Sequence, residues 1–159
     1  MTLDIRPASF HDAERISLLI KSLAGFFTLH PKGLGAESFM ASIGPKAIRE
    51  TIESPAFDYF VGETAGDLAG LVGVRDNRHL FHLFVCEAYQ GQGFGRLLWD
   101  HACAFAMAKG NPGAFTVNAT PHAYPFYEKL GFRPAGKREE KSGIAYVPMR
   151  MTRNSSSGL

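Results

Sequence analysis

The amino-acid sequence predicts an α/β (α+β) fold: a mixed, mostly antiparallel central sheet of about six or seven strands, flanked by helices. Three observations lead there. The segments FDYFVGET, LAGLVGVR and RHLFHLFVC follow one another with only turn residues between them, the pattern of an antiparallel meander. Later segments run strand, helix, strand, which requires a crossover connection. RHLFHLFVC is apolar on both faces and suits a central strand covered from both sides.

Taken in chain order, Leu3 to Pro7 reads as a short strand. Ser9 and Asp12 form a capping-box variant, and Ala13, Ile16, Ile20, Leu23 and Phe27 recur at helical spacing, which predicts a helix from Phe10 to Phe27. The loop TLHPKGLGAES precedes helical pieces at Phe39 to Ile43 and Ala47 to Ile52, broken at Gly44-Pro45. In the meander, Ala65, Gly66 and Asp67 make one turn and Asp76-Asn77 the next. Phe94, Leu97, Leu98, His101, Phe105 and Ala108 mark one face of a helix ending near Gly110. AFTVNAT is a strand, and PHAYPFYEKLG is a short helix with Gly131 just past its end. Strands near Phe132 to Lys137 and Ile144 to Met151 finish the chain, with the mixed-charge run Lys137 to Lys141 read as a solvated turn.

The 159 residues are 45% hydrophobic and 20% charged, which suits a single folded domain over residues 1–152 with a flexible tail at 153–159. A formal charge of +2 gives no general attraction for nucleic acid or an anionic membrane, so a charged ligand needs a local site. Cys86 and Cys103 show no metal-ligand spacing and fit two buried thiols in a reducing compartment; no metal is expected. MTLDIRPASF lacks a basic start followed by an apolar block, and no apolar run approaches the length of a membrane span. A cytoplasmic location is expected.

The most specific stretch is CEAYQGQGFGRLL, Cys86 to Leu98, three spaced glycines between a strand and a helix. Bare backbone N–H groups and the positive end of the helix dipole make such a turn an anion site, and a Cβ on these glycines would hold the backbone away from the anion. A plain flexible turn before a helix is the other reading. Two phosphate-binding templates fail. The dinucleotide fingerprint counted from Gly91 and Gly93 needs a third glycine where Arg96 stands, and the Walker loop counted from Gly91 also reaches Arg96 where it needs glycine.

The segment from Leu80 to Phe132 resembles the GNAT superfamily of acetyl-CoA-dependent N-acetyltransferases. HLFVCEAYQGQGFGRLL is similar to its pyrophosphate motif [QR]-x-x-G-x-[GA], and AYPFYEKLGF to its A-x-x-F-Y-x-x-x-G-F motif, in the family's order and separated by one helix and one strand. The resemblance implies a GNAT-like fold that transfers acetyl from acetyl-CoA to a primary amine, either a small molecule or a peptide amine, by direct attack in a ternary complex. The alternative is a domain of the same fold that binds acetyl-CoA without turnover. Dimers are frequent in the family.

The resemblance also assigns roles. Gln90, Gly91, Gln92, Gly93, Phe94, Gly95 and Arg96 would cradle the pyrophosphate, with Arg96 equally readable as a solvated side chain. Leu83, Phe84 and Val85 would pair with the pantetheine arm, an N–H of Phe84 or Val85 polarising the thioester carbonyl. Tyr127 would face the thioester sulfur, its other reading being an aromatic packing between helix and sheet. His79 is a base candidate or a surface histidine beside a turn; Glu63 and a water relay are further candidates. His82 is expected on the strand face opposite His79 and Val85, as a hydrogen-bonded core histidine. His101, on the apolar helix face, is read as structural. Asn118 would meet pantetheine or cap its strand, although the family's usual asparagine position holds Thr120 here, and Tyr124 would line the cofactor channel or pack in the core.

Overall fold

A computed structural model describes residues 2–153. Of the expected tail, 154–159 lies outside the described residues. Eight strands form the sheet in the order β1-β2-β3-β4-β5-β8-β6, with β7 paired to β8. The strands β1 (Asp4–Pro7), β2 (Phe57–Thr64), β3 (Asp67–Arg75) and β4 (His79–Val85) are successively antiparallel. One hairpin closes on two residues, Ala65-Gly66, and the next on three, Asp76 to Arg78; Ala65, Gly66, Asp76 and Asn77 all have positive φ. That conformation matches the strand twist, and glycine, Asp and Asn tolerate it best.

After β4 come the helix α4 (Phe94–Ala108), β5 (Ala114–Ala119) and α5 (Tyr124–Leu130), then β6 (Arg133–Pro134), β7 (Glu139–Lys141) and β8 (Ile144–Thr152). The Lys137 to Lys141 run is therefore not simply a turn. Its last three residues form β7, exposed throughout and held by pairing with β8.

The sheet is covered on both faces. Tyr59, Val61 and Leu71 meet α1 (Ala13–Ser22) and α3 (Pro45–Glu53), while Phe60, Val72, Val74 and Leu80 meet α4 and α5. The predicted long first helix is shorter than expected. Phe10–Asp12 and Ala24–Phe26 are 3-10 turns flanking α1, and Phe26 and Phe27 close i→i+3 bonds on Leu23 and Ala24. Gly25 and two aromatics are poor helix formers, so the chain tightens there and leaves the helix axis. A short α2 (Glu37–Ser42) follows, then Pro45 opens α3 at the position where a missing N–H costs nothing.

The buried face of α4 is rotated from the expected stripe. Phe94, Leu98, Trp99, Ala102, Cys103 and Ala106 are buried, whereas Leu97, His101 and Phe105 are exposed. Phe60 meets the rings of His101 and Phe105 edge-on at the margin of the sheet.

Two irregularities open the sheet. Gly73 pairs with His82 and Val74 with Leu80, so Phe81 is an extra residue, a β-bulge in β4. In addition, β4 and β5 run parallel but pair only at His79–Thr116 and Leu80–Val117. Beyond that seam they diverge, and a cleft opens between them.

Candidate active site

The cleft has a volume of about 550 Å³ and runs along the edge of β4 that β5 leaves unpaired. Cys86 donates its N–H to the Ala69 carbonyl at 2.8 Å on the β3 side. Donors alternate sides along an antiparallel strand, so Phe84 also bonds toward β3, and the N–H groups of Leu83 and Val85 point into the cleft. Of the two N–H groups expected to polarise a carbonyl, that of Val85 faces the cleft and that of Phe84 is taken by β3. The Gln90 side chain folds back and donates Nε2–H to the Val85 carbonyl at 3.0 Å.

The glycine turn lies at the Val85 end. It begins with a 3-10 turn, Glu87–Tyr89, anchored where the Tyr89 hydroxyl donates to Asp67 Oδ2 at 2.9 Å. Gly91 and Gly93 have φ of 82° and 81°, and a Cβ on either would project into open space. Their glycine requirement is conformational. Gly93 is the N-cap of α4, and the first helical bond runs from Leu97 N–H to the Gly93 carbonyl. The amides of Phe94, Gly95 and Arg96 therefore have no helical acceptor. The buried Phe94 ring fixes this first turn while Gly91, Gln92 and Gly93 stay exposed. Exposed donors at a dipole's positive end, with space before them, fit a diphosphate.

Gly95 has a packing role besides its free amide. A Cβ there would stand 2.9 Å from the Phe126 ring, so this glycine lets α4 approach α5. Arg96 donates to the Lys129 carbonyl at 3.1 Å, capping the end of α5.

The second motif is a helix with a Schellman ending. Phe132 N–H bonds the Tyr127 carbonyl and Gly131 N–H bonds that of Glu128, both at 3.0 Å, with Gly131 at φ 109°. Such an ending brings together the side chains flanking it, and the Tyr127 and Phe132 rings meet edge-on at 5.7 Å. The spacing Y-x-x-x-G-F thus encodes the helix stop that orients Tyr127. Its ring is buried and lines the cleft, and its hydroxyl has no hydrogen-bond partner among the described residues. Burial pushes the Tyr127 pKa above the ordinary tyrosine range. Asn118 is exposed on the cleft wall, whereas Tyr124 packs against the α4 side of the core.

The bulge at Phe81 alters the histidine geometry. Leu80, Leu83 and Val85 pack toward α4, while Phe84 packs toward α1. His79 and His82 therefore share the α1 side of β4, opposite Val85, rather than lying on opposite faces. His82 is buried, bonded through Nδ1 to the Tyr59 hydroxyl at 2.8 Å, and burial lowers its pKa to about 3. His79 lines the cleft, with Nδ1 2.7 Å from Thr116 Oγ1. Its pKa falls to about 4, through burial first and then the charges of Arg75 and Arg78.

Glu63 is removed from the candidates for a base. It bonds Arg6 and Arg15 at 2.9 Å each, and both arginines also hold the buried Asp12. These partners lower the pKa of both carboxylates. Sequence reasoning missed Arg75, which lines the cleft, and Thr116, which bonds His79; the place of both follows only from their register beside that histidine.

The acetyltransferase (GNAT) domain family matches residues 27–153, and the chain belongs to that family. An uncharacterized N-acetyltransferase of Shouchella clausii is 26% identical over 139 residues, covering 80% of this chain and 81% of the relative. One from Halalkalibacterium halodurans is 25% identical, covering 77% and 76%. Among solved structures, a GCN5-related N-acetyltransferase from Rhodopseudomonas palustris superposes with TM-score 0.81 at 20% identity, covering 96% and 97% of the two chains. The PaiA N-acetyltransferase of Thermoplasma acidophilum, in complex with coenzyme A, superposes with TM-score 0.79 at 17% identity, covering 96% and 100%. These two likenesses show the fold. Among the described residues no helix is long and apolar enough to cross a membrane, and no cluster of three His, Cys, Asp or Glu is arranged to hold a metal.

Proposed function

We propose that residues 1–152 form one acetyl-CoA-dependent N-acetyltransferase domain that moves acetyl to a primary amine by direct attack in a ternary complex. One juxtaposition carries this reading: the outward amides of Leu83 and Val85 face the cleft that Tyr127 lines, and the exposed glycine turn before α4 follows directly from Gln90 on the same cleft wall. Acetyl-CoA supplies the activated thioester. The amides from Gly91 to Arg96 hold its diphosphate, and the free edge of β4 at Leu83 and Val85 aligns the pantetheine arm, with Asn118 on the facing wall. An outward N–H of this edge is aimed at the charge that develops on the acyl oxygen.

The proton steps follow from the two titrating groups. A thiolate of pKa about 8.5 leaves readily, and Tyr127, more basic than ordinary tyrosine, keeps its proton and donates a hydrogen bond to sulfur. His79, at about 4, is a poor base. Taking a proton from an ammonium of pKa ~10.4 would be uphill by about 9 kcal/mol. We therefore assign His79 to orientation: with Nδ1–H donated to Thr116, Nε2 accepts a hydrogen bond from an amine that enters neutral or loses its proton to water. Calorimetric titration with acetyl-CoA, NADH and ATP, followed by thiol release over an amine panel, tests the reading. Heat with acetyl-CoA alone is expected, and heat with NADH or ATP alone rejects it.

A further inference from the structure

The loop after α1 and the β7–β8 hairpin both line the cleft. These are tied together by Leu29 N–H bonding the Gly143 carbonyl at 2.8 Å. Phe26 and Phe27 from the loop, Phe39 from α2, and Phe81 and Tyr146 give the cleft an aromatic lining. Its charge is one-sided. Arg75 and Lys141 line the cleft, and no Asp or Glu does so among the described residues.

Arg75 is placed rather than loose. It pairs with His79 across β3 and β4, and its guanidinium carbon lies 5.8 Å from the centre of the Phe81 ring. Asp76 approaches only Nε, at 3.6 Å, and is itself well exposed, so this is a weak surface pair. The Nη atoms make no hydrogen bond among the described residues. That leaves the two-pronged edge of the guanidinium, which matches a carboxylate.

A polyamine would meet two like charges, Arg75 and Lys141, with no carboxylate lining the cleft among the described residues. A simple apolar amine would leave the guanidinium unanswered. Cross-strand neighbours have Cβ atoms about 5 Å apart, so a group on Arg75 and a group on His79 belong to a short acceptor.

Resting on the transferase reading above, we propose that the acceptor is an apolar α-amino acid. Arg75 holds its carboxylate, the phenylalanines receive its side chain, and its amine lies beside His79. The amine nitrogen bonds to the acyl carbon, the carbon–sulfur bond breaks, the amine proton passes to water, and CoA leaves as the thiolate.

The test compares phenylalanine, phenylalaninamide, phenethylamine and spermidine by thiol release and by equilibrium binding to CoA-saturated protein. Phenylalanine is expected to exceed the other three by about 30-fold in kcat/KM, the scale of one charge-assisted bidentate contact. Arg75→Met, which keeps an apolar stem on Phe81, is expected to raise KM for phenylalanine about 30-fold and to leave that for phenethylamine within about twofold, with Arg75→Lys intermediate. Turnover that favours phenethylamine, the amide or spermidine overturns the acceptor proposal and leaves the transferase reading standing. Phenylalanine binding that depends on Arg75, with no thiol released, upholds the site and overturns the transferase reading. Neither binding nor release overturns both.

Discussion

Gly95 and Phe126 fill one another's space: a Cβ on Gly95 would lie 2.9 Å from the far edge of the Phe126 ring. The ring also packs against Tyr127 at 5.6 Å. The two sequence motifs are therefore one mechanical unit, and crowding at the first displaces the second.

Gly95→Ala should reveal this coupling. Helix propensity alone favours alanine by up to about 1 kcal/mol, while overpacking costs about 1–3 kcal/mol. A net loss of about 1 kcal/mol is expected in urea denaturation, together with a drop in kcat as the Tyr127 ring shifts. Adding Phe126→Leu should recover stability. A Gly95→Ala protein at least as stable as wild type would show that the ring yields freely.

Tyr127→Phe removes a hydroxyl that has no protein partner among the described residues, so Tm should hardly move. The rate should fall about 10²-fold. Because burial keeps this phenol protonated past the ordinary tyrosine range, the wild-type pH–rate profile should show no Tyr127 limb below about pH 10. An unchanged kcat in the variant would place Tyr127 among the packing aromatics.

His79→Ala should lower kcat while the acidic limb of kcat/KM stays in place. That limb belongs to the acceptor amine, so acceptors of different basicity should move it by the difference in their own pKa values. A limb that vanishes with His79 would make this histidine the base after all.

Acid stability separates two groups of side chains. His79 and His82 are held neutral, with folded pKa values of about 4 and about 3, below the unfolded value near 6.5. Between these limits the unfolded chain binds more protons, so stability should decline as pH falls below about 6.5. Asp12 is depressed by Arg6, so its contribution is full above about pH 4 and fades as pH drops further. His82→Gln should flatten the upper part of the curve. Equal wild-type stability at pH 6.5 and pH 5 would contradict the neutral assignment.

The elements written in local chemistry were legible in advance. The turn at Ala65-Gly66, the break at Gly44-Pro45 and the Y-x-x-x-G-F stop each depend on a few adjacent residues. What escaped depends on partners far along the chain. Nothing near Phe81 announces a bulge, since its signal is the register of β3 opposite, and missing it put His79 on the wrong face. The Glu139–Lys141 strand carries no apolar alternation because β8 alone holds it. In α4 the buried face is set by β2, β3, β4, β5 and α5 together, which draws in Trp99 and Cys103 and leaves Leu97 outside. Thr116 and Arg75 look like ordinary strand residues until pairing sets them beside His79.

The two-residue seam between β4 and β5 has a consequence for deuterium uptake. Interior strands are usually the slowest part of a sheet to exchange. Here one strand should carry two clocks: the amides of Phe84 and Cys86, bonded to β3, should exchange slowly, while those of Leu83 and Val85, alternating with them, label early. That alternation along four consecutive amides would report directly on which ones a bound acyl carrier engages.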